Sequence, residues 1–506
     1  MSVGETQVRR LGDEAFLIDT GGHRDARRLA AELAAGLGAG REVVPGAASV
    51  GVLEAGGASP LAARPDGPVL HEVPVAFGGD DLGALGLSPQ GAAELLADTE
   101  LEVAFLGFMP GFAYLSGLPE PLASLARRPT PRPRVPAGSF AIGGGYAGIY
   151  PSSSPGGWHL LGRSPLCCFD HTAPPYARLW PGDRVRIVAT APFSPVAPPP
   201  RPPLVGEGLS VVDAGFLLMV EDLGRRGAAA LGVPRAGAFC DLALRIANRA
   251  VGNEEGAAAL EVTGTARLRA DRHLLVVAAG GRLSVEGVEA PGGTVTAVGA
   301  GQLLSVSGFR AILACSGGIA TDALFESRSA DALSGLPPGP LRAGDGLAVG
   351  PPPLRARARL ELPRDDEVPV LRAIAGPDEV GAAVLAALTS GPLTVEPDSD
   401  RTGLRCRVER PLRAPDGVPS HLVVPGAIQL PPDGRPVVLG PDCGPVGGYP
   451  VAATVISADR WRLGRLRPGD RFELRLVTLE TALCARAGLE GALERSLTGW
   501  FPAHLV

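Results

Sequence analysis

Glycine and proline interrupt this chain so often that short strands are favoured over long helices. The 70 glycines and 51 prolines among its 506 residues are scattered between short apolar runs and follow no fixed short period. Proline removes a backbone donor and clashes with the turn before it, and glycine costs conformational entropy inside a helix. Such punctuation favours short strands joined by many turns, so the expected class is mainly β with some α. Residues 192–203, PFSPVAPPPRPP, hold seven prolines and read as a stiff extended linker between two halves.

Within the halves, hydrophobic periodicity places few helices. Residues 25–37 carry Leu29, Leu33 and Leu37 on one helical stripe, and Ser88-Pro89 supplies a cap residue and a first-turn proline for a second helix. Residues 241–251, stopped by Gly252, and residues 377–388 read as two more. Elsewhere strands dominate: 273–278, 303–306, and the alternating runs 184–188 and 471–477. An ordered echo links the halves. Val135-Pro136-Ala137-Gly138, Gly156-Gly157-Trp158 and Pro181-Gly182-Asp183 recur as Val424-Pro425-Gly426-Ala427, Gly447-Gly448-Tyr449 and Pro468-Gly469-Asp470. From the first proline, the glycine pair follows after 20 and 22 residues and the PGD turn after 45 and 43. A third copy of the turn, Ala343-Gly344-Asp345, precedes another apolar run. Recurrence in the same order suggests related barrels.

Several function classes are excluded by what the chain lacks. It contains no lysine, so all 47 basic residues are arginine; a P-loop lysine, a Schiff-base lysine and a biotinyl-lysine of its own are ruled out. No cofactor is therefore expected in the chain. The net charge of -6 offers no basic field for nucleic acid. No apolar run is long enough for a membrane span, and residues 1–10 have no apolar signal core, so cytoplasmic residence is expected. The seven cysteines include the vicinal Cys167 and Cys168 but no CxxC, which fits reduced structural thiols. The seven histidines have no metal-ligand spacing, and no metal is expected. Residues 143–148, GGGYAG, satisfy GxGxxG, but Ile149-Tyr150-Pro151 and a serine-rich stretch follow instead of the helix that a pyrophosphate needs. No GxSxG elbow occurs.

What remains is a series of distinctive motifs. FLGFMPGFAYL at 105–115, RPRVPAGS at 132–139 and SPGGWHLLGR at 154–163 resemble the Kip-type inhibitor (KipI) family, the B component of 5-oxoprolinase. EDLGR at 221–225, LRIAN at 244–248, VGN at 251–253, SDRTG at 399–403 and GAIQ at 426–429 resemble the partner family, the Kip-type antagonist (KipA) or C component of 5-oxoprolinase. Together the resemblances span nearly the whole chain, as a natural fusion. They imply cyclophilin-like β-barrels with a cleft at their junctions. The implied organisation is a small α+β domain at 1–85, a barrel at 86–191, the linker at 192–203, a first barrel of the second half at 204–355, a second at 356–482 and a C-terminal tail at 483–506. Members of these families hydrolyse 5-oxoproline to glutamate with ATP alongside a separate large partner protein, or transfer a carboxyl group from carboxybiotin to urea; a Kip-type protein also inhibits a histidine kinase. The resemblance therefore implies a small-molecule enzyme, with ATP or carboxybiotin carried by a partner. A binding regulator is the reading from another class.

The polar residues of these motifs suit an anionic or amide-bearing ligand. Arg132, Arg134, Arg163, Arg225 and Arg401 offer forked donors, and Asp222 and Asp400 would orient them or take a proton; structural ion pairing is the competing reading. Tyr114, Tyr150, Trp158 and Tyr449 would form apolar walls or simply pack a core, and Gln429 stands in the GAIQ motif. Departures from the family patterns cluster at polar positions. Tyr146-Ala147-Gly148 stands where Gln-Thr-Gly is usual, a histidine is missing near Leu96, and Gly444-Pro445-Val446 replaces Gln-Thr-Thr. His421 stands where Ser-Glu would give a glutamate, Glu221 replaces a glutamine, and residues 326–330 read ESRSA instead of GSRST. Each lost partner costs a polar ligand about 1–3 kcal/mol. The alternative is thus a scaffold recruited to specialised metabolism, acting without nucleotide on a larger, less polar substrate, with Tyr146, His421 or Glu221 as new acid–base groups.

Overall fold

The computed structural model describes residues 7–37, 41–54, 67–128, 130–193, 201–353, 355–356, 367–413, 418–495 and 501–502. Most of the expected linker, 194–200, lies outside the described residues.

The first unit is a four-stranded antiparallel sheet, ordered Val8–Leu11, Ala15–Asp19, Ser49–Glu54, Arg41–Pro45, backed by the helix His23–Gly36. That helix buries Ala26 and Ala30 and lays Leu29, Leu33 and Leu37 beside them against Val43, Val50 and Val52, the stripe its periodicity predicts. Next comes a closed seven-stranded barrel. It takes in Leu70–Phe77, which pairs in parallel with Arg184–Ala189, so the barrel reaches back across the expected boundary at residue 86. The helix Pro89–Ala97 opens on Ser88, whose hydroxyl accepts from the Gly91 amide at 2.9 Å, as its cap signature predicts.

The second half begins with an eight-stranded sheet built on the long strands Ala259–Ala270, Leu274–Val285 and Leu303–Cys315. A barrel is expected here, but the strand order stays open. Its terminal strands, Val288–Glu289 and Gly346–Ala348, are too short to carry a closing ladder. The helix Asp241–Ala250 packs on one face and ends before Gly252, at φ 85°. A second closed barrel of seven strands follows. The helix expected over 377–388 runs instead from Ala382 to Thr389. Asp378 is held away from helical geometry by accepting from the Val451 amide at 2.8 Å, and Gly381 turns at φ 85°. The expected tail at 483–506 contains most of a helix, Leu479–Arg495, which packs through Ala482, Ala485 and Leu489 on Ile374, Ile456 and Ala458; the rest of that tail falls mostly outside the described residues.

The two closed barrels are cyclophilin-like and share one wiring diagram. In each, the first and last strands pair in parallel: Leu70–Phe77 with Arg184–Ala189, and Val370–Ala375 with Arg471–Leu476. Each also carries a small two-stranded antiparallel ribbon outside its wall, Arg132–Val135 with Ser154–Gly156 and His421–Leu422 with Val446–Gly447. The sequence echo falls on equivalent places: VPAG and VPGA end or follow the first ribbon strands, and GGW and GGY complete or follow the second. The aspartates of all three PGD-like turns accept from the amide three residues earlier, at 3.0 Å for Asp183 and 2.8 Å for Asp345 and Asp470.

Candidate functional site at the junction of the barrels

The first barrel is apolar outside as well as inside along one edge. In the strand Glu100–Leu106, Leu106 faces the barrel core and Phe105 faces a second core shared with the other barrel. Phe105 pairs across the ladder with Tyr114, and their rings stack at 4.3 Å. Phe112 contacts Tyr114, Tyr150 and Trp158 edge-on at 5.0–5.4 Å, the geometry that aromatic quadrupoles favour. Tyr146 closes this wall at 5.6 Å from both Phe105 and Tyr114. Tyr114, Tyr150 and Trp158 are buried, whereas Tyr146 is partly exposed.

The wall faces the small two-stranded ribbon of the second barrel, and glycines set the approach. A Cβ on Gly107 would stand 2.6 Å from Val446, and one on Gly444 would stand 2.2 Å from the Phe108 carbonyl oxygen. A side chain at 444 has no room, so the junction closes here on the Gly444 backbone and the Val446 side chain. Gly448 has a different neighbour: its Cβ would fall 2.7 Å from both terminal nitrogens of Arg127. The Arg127 guanidinium therefore lies flat on the glycine backbone and donates to Ser420 Oγ at 3.2 Å. Among the described residues it has no ion-pair partner. Arg127, Tyr146, Gly447, Gly448 and Tyr449 form a partly exposed rim.

This rim is electrostatically simple. Burial pushes the Tyr114 hydroxyl up to about 12 and raises Tyr146 and Tyr150 as well, against the pull of Arg127. The phenols stay neutral near pH 7 and serve as hydrogen-bond donors, not bases. Arg127 was missed by the motif reading, although it opens an arginine-rich run with Arg128, Arg132 and Arg134. Asp81 was missed too. Its carboxylate accepts from Arg128 and Arg132 at 2.7 Å each and from the Leu160 amide at 2.7 Å, which positions the strand behind Trp158.

The structure distributes the remaining expected residues between this junction and purely internal roles. Gln429 lies behind the rim, donating to the Tyr449 carbonyl at 3.4 Å. Arg132 is held by Asp81, Arg134 donates to Ser153 at 3.0 Å, and Arg163 donates to the Ala137 carbonyl at 2.8 Å. His421 turns away: Nε2 lies 3.0 Å from Asp378 and Nδ1 2.7 Å from the Leu422 carbonyl. Its neighbour Ser420 faces Arg127 instead. Asp400 is an exposed turn residue accepting from the Thr402 and Gly403 amides.

The other polar residues form two buried networks away from the junction. Asp222 accepts from Ser327, Ser329 and the Gly224 and Arg328 amides, at 2.6–2.8 Å, so its lone pairs are used. Arg225 donates to the Ser329 and Pro337 carbonyls. Arg401, 5 % exposed, grips Asp442 in a fork at 2.9 Å, binds Glu261 and the Gly237 carbonyl, and lies 3.2 Å from Glu221. Burial, with Asp442 and Glu261 as like charges, holds the Glu221 carboxyl well above its usual range despite Arg401. Arg401 pins the second barrel to the open sheet.

Models of two known domains match the chain: the carboxyltransferase domain, subdomain C and D, over residues 6–179, and subdomain A and B over residues 231–476. Among curated proteins, the B component of 5-oxoprolinase from Escherichia coli O157:H7 is 47% identical over 124 residues, which are 23% of this chain and 56% of the relative. The matched part is thus little more than half of that relative's length. The C component of 5-oxoprolinase from Escherichia coli strain K12 is 32% identical over 294 residues, 55% of this chain and 94% of the relative. The crystal structure of TTHA0988 superposes with a TM-score of 0.80 at 32% identity, covering 91% of this chain and 99% of that one.

Proposed function

Because the chain belongs to the carboxyltransferase-domain family, as a fused protein of the 5-oxoprolinase B–C type, we propose that it is an enzyme component that binds a small amide- or carboxylate-bearing substrate on the rim between its barrels. One observation carries the reading: Arg127, without a carboxylate partner among the described residues, lies on the Gly448 backbone beside a wall of neutral tyrosines. A guanidinium so placed supplies parallel donors to a carboxylate or a polarised amide, and Tyr146 covers the apolar part of the ligand. The carboxylates proposed from sequence as proton carriers, Asp222, Asp400 and Glu221, lie in turns or internal networks, and so does His421. The role left to this chain is binding and orientation, with nucleotide or carboxybiotin chemistry supplied by a separate large partner protein. Under this reading the purified chain, mixed with the large component of a 5-oxoprolinase and ATP, releases glutamate from 5-oxoproline. Folded protein that releases none under these conditions removes the reading.

A second reading draws on the closed contact at Gly444 and Val446. Filling that contact with backbone and a valine leaves fewer polar partners than the family pattern offers, which favours a less polar substrate handled without nucleotide. Binding of 5-oxoproline by the chain alone, compared with binding of amides carrying an apolar ring, separates the two.

A further inference from the structure

Away from the aromatic junction, a cavity of about 290 Å³ opens where the small N-terminal sheet, the open sheet, the second barrel and the C-terminal helix meet. Its volume sits near the lower end of small-molecule sites, about 300–1,000 Å³. Phe239, Leu439 and Leu463 give it an apolar floor. Its charged lining combines Arg226, Arg235, Arg245, Arg460 and Arg486 with Glu14, Asp241, Glu255 and Glu490. Arg245 is matched by Glu255 at 2.6 Å and by Glu490 at 2.8 Å. That leaves Arg226, Arg235 and Arg460 facing Glu14 and Asp241.

Glu14 is already engaged by Arg460 and stands 3.9 Å from Arg235. Burial opposes its ionisation, yet Arg460 and Arg235 hold it down at about 2. Asp241 moves the other way, raised by burial against the pull of Arg460 and Arg235. Arg226 is exposed and has no ion pair among the described residues. Arg235 is the most telling. Its side chain is 26 % exposed, and its only described ion pair is the long one to Glu14; its guanidinium makes no hydrogen bond to a described residue, although it carries five N–H donors. Burial, with Arg460 and Arg226 as like charges, pushes it down to about 10 despite Glu14. A forked donor group held with its donors unused beside an apolar floor is the arrangement an oxyanion with a short carbon skeleton completes.

We propose that this cavity binds a small organic anion, with its carboxylate or phosphate held by Arg226, Arg235 and Arg460, at a site distinct from the junction of the barrels. The test is thermal unfolding of the full chain at neutral pH with rising sodium succinate or sodium phosphate, each against sodium chloride of equal ionic strength. At least one oxyanion should raise the midpoint saturably above the chloride series, because a ligand that binds only the folded state stabilises it by mass action. Arg235→Gln and Arg226→Gln should each weaken the apparent affinity by about tenfold. Arg282→Gln, an exposed arginine paired with Glu289, should leave it unchanged. A larger succinate response assigns an organic acid and a larger phosphate response assigns a phosphorylated metabolite. The proposal is overturned if neither probe exceeds chloride, or if Arg226→Gln, at an exposed position where folding is not at stake, responds like the parent chain.

Discussion

Arg127 separates a binding role from a structural one at the scale of a single residue. If it receives the substrate's anionic group, Arg127→Ala removes a charge-assisted hydrogen bond of about 1.5–3 kcal/mol, which weakens substrate binding by about ten- to a hundredfold. Folding should change little, because the guanidinium has only the Ser420 hydroxyl to lose. Substrate titration and a melting curve on the same variant check both halves of this expectation. Glu221 makes the opposite case. Its carboxyl is raised in the folded state, so its contribution is fully present below the ordinary carboxyl range and is lost as pH rises through the raised value. Glu221→Gln mimics the protonated form. Its melting temperature should match the parent in acid and exceed it increasingly as pH rises toward neutral and beyond; a constant difference across pH would contradict the assignment. Motif reading found Glu221, Asp222 and Arg401 but not their roles. A chemistry-bearing residue in a loop and the same residue satisfied inside an interface look alike until the partners are known, and Glu261 and Asp442, which complete the network, carry no motif.

Elements were more legible, because local rules decide them. The Ser88 cap, the Leu29–Leu33–Leu37 stripe and the alternating strands at 184 and 471 follow from side-chain spacing alone, and the structure has them. The misses have tertiary causes: Asp378 is recruited by Val451 and His421 before a helix can start, and Leu479–Arg495 forms because Ile374, Ile456 and Ala458 await an apolar face. The repeated PGD turn shows why an echo survives in sequence. Asp183, 1 % exposed, accepts from the Trp180 amide, from the Val69 amide at 3.0 Å and lies 2.7 Å from His71, so one carboxylate ties the turn to the parallel strand pair that closes the barrel. Asp183→Ala leaves these partly buried donors without their acceptor and should destabilise the protein by about 1–3 kcal/mol, read from urea unfolding. Asp470, whose carboxylate serves an exposed turn amide at 2.8 Å, should cost less than half of that when replaced by alanine.

At the scale of the whole molecule, the proline-rich stretch divides the sequence but not the fold. The core beneath the aromatic wall draws Leu11, Leu17 and Phe105 from the first half and Ala230, Leu422 and Val446 from the second. Polar ties cross the same boundary. Glu42, 1 % exposed, accepts from the Gly227 amide at 2.9 Å and from the Ala229 amide; Asp13 accepts from the Ser457 amide at 3.0 Å; and Arg9 donates to the Pro377 carbonyl and Asp378. Each half alone would strip Glu42 of its amide donors and return this apolar surface to water, at about 25 cal/mol per Å² of apolar area. A chain cut within residues 192–203 should therefore stay together: both fragments should elute as one species on size exclusion at physiological salt, and Arg127 should still bind substrate. Such cohesion through an apolar core does not weaken as salt rises, unlike one held by surface charge. Two separate peaks would mean that the covalent link, rather than the shared core, brings the rim residues Arg127 and Gly448 together, and the junction could then not be an intrinsic property of the fold.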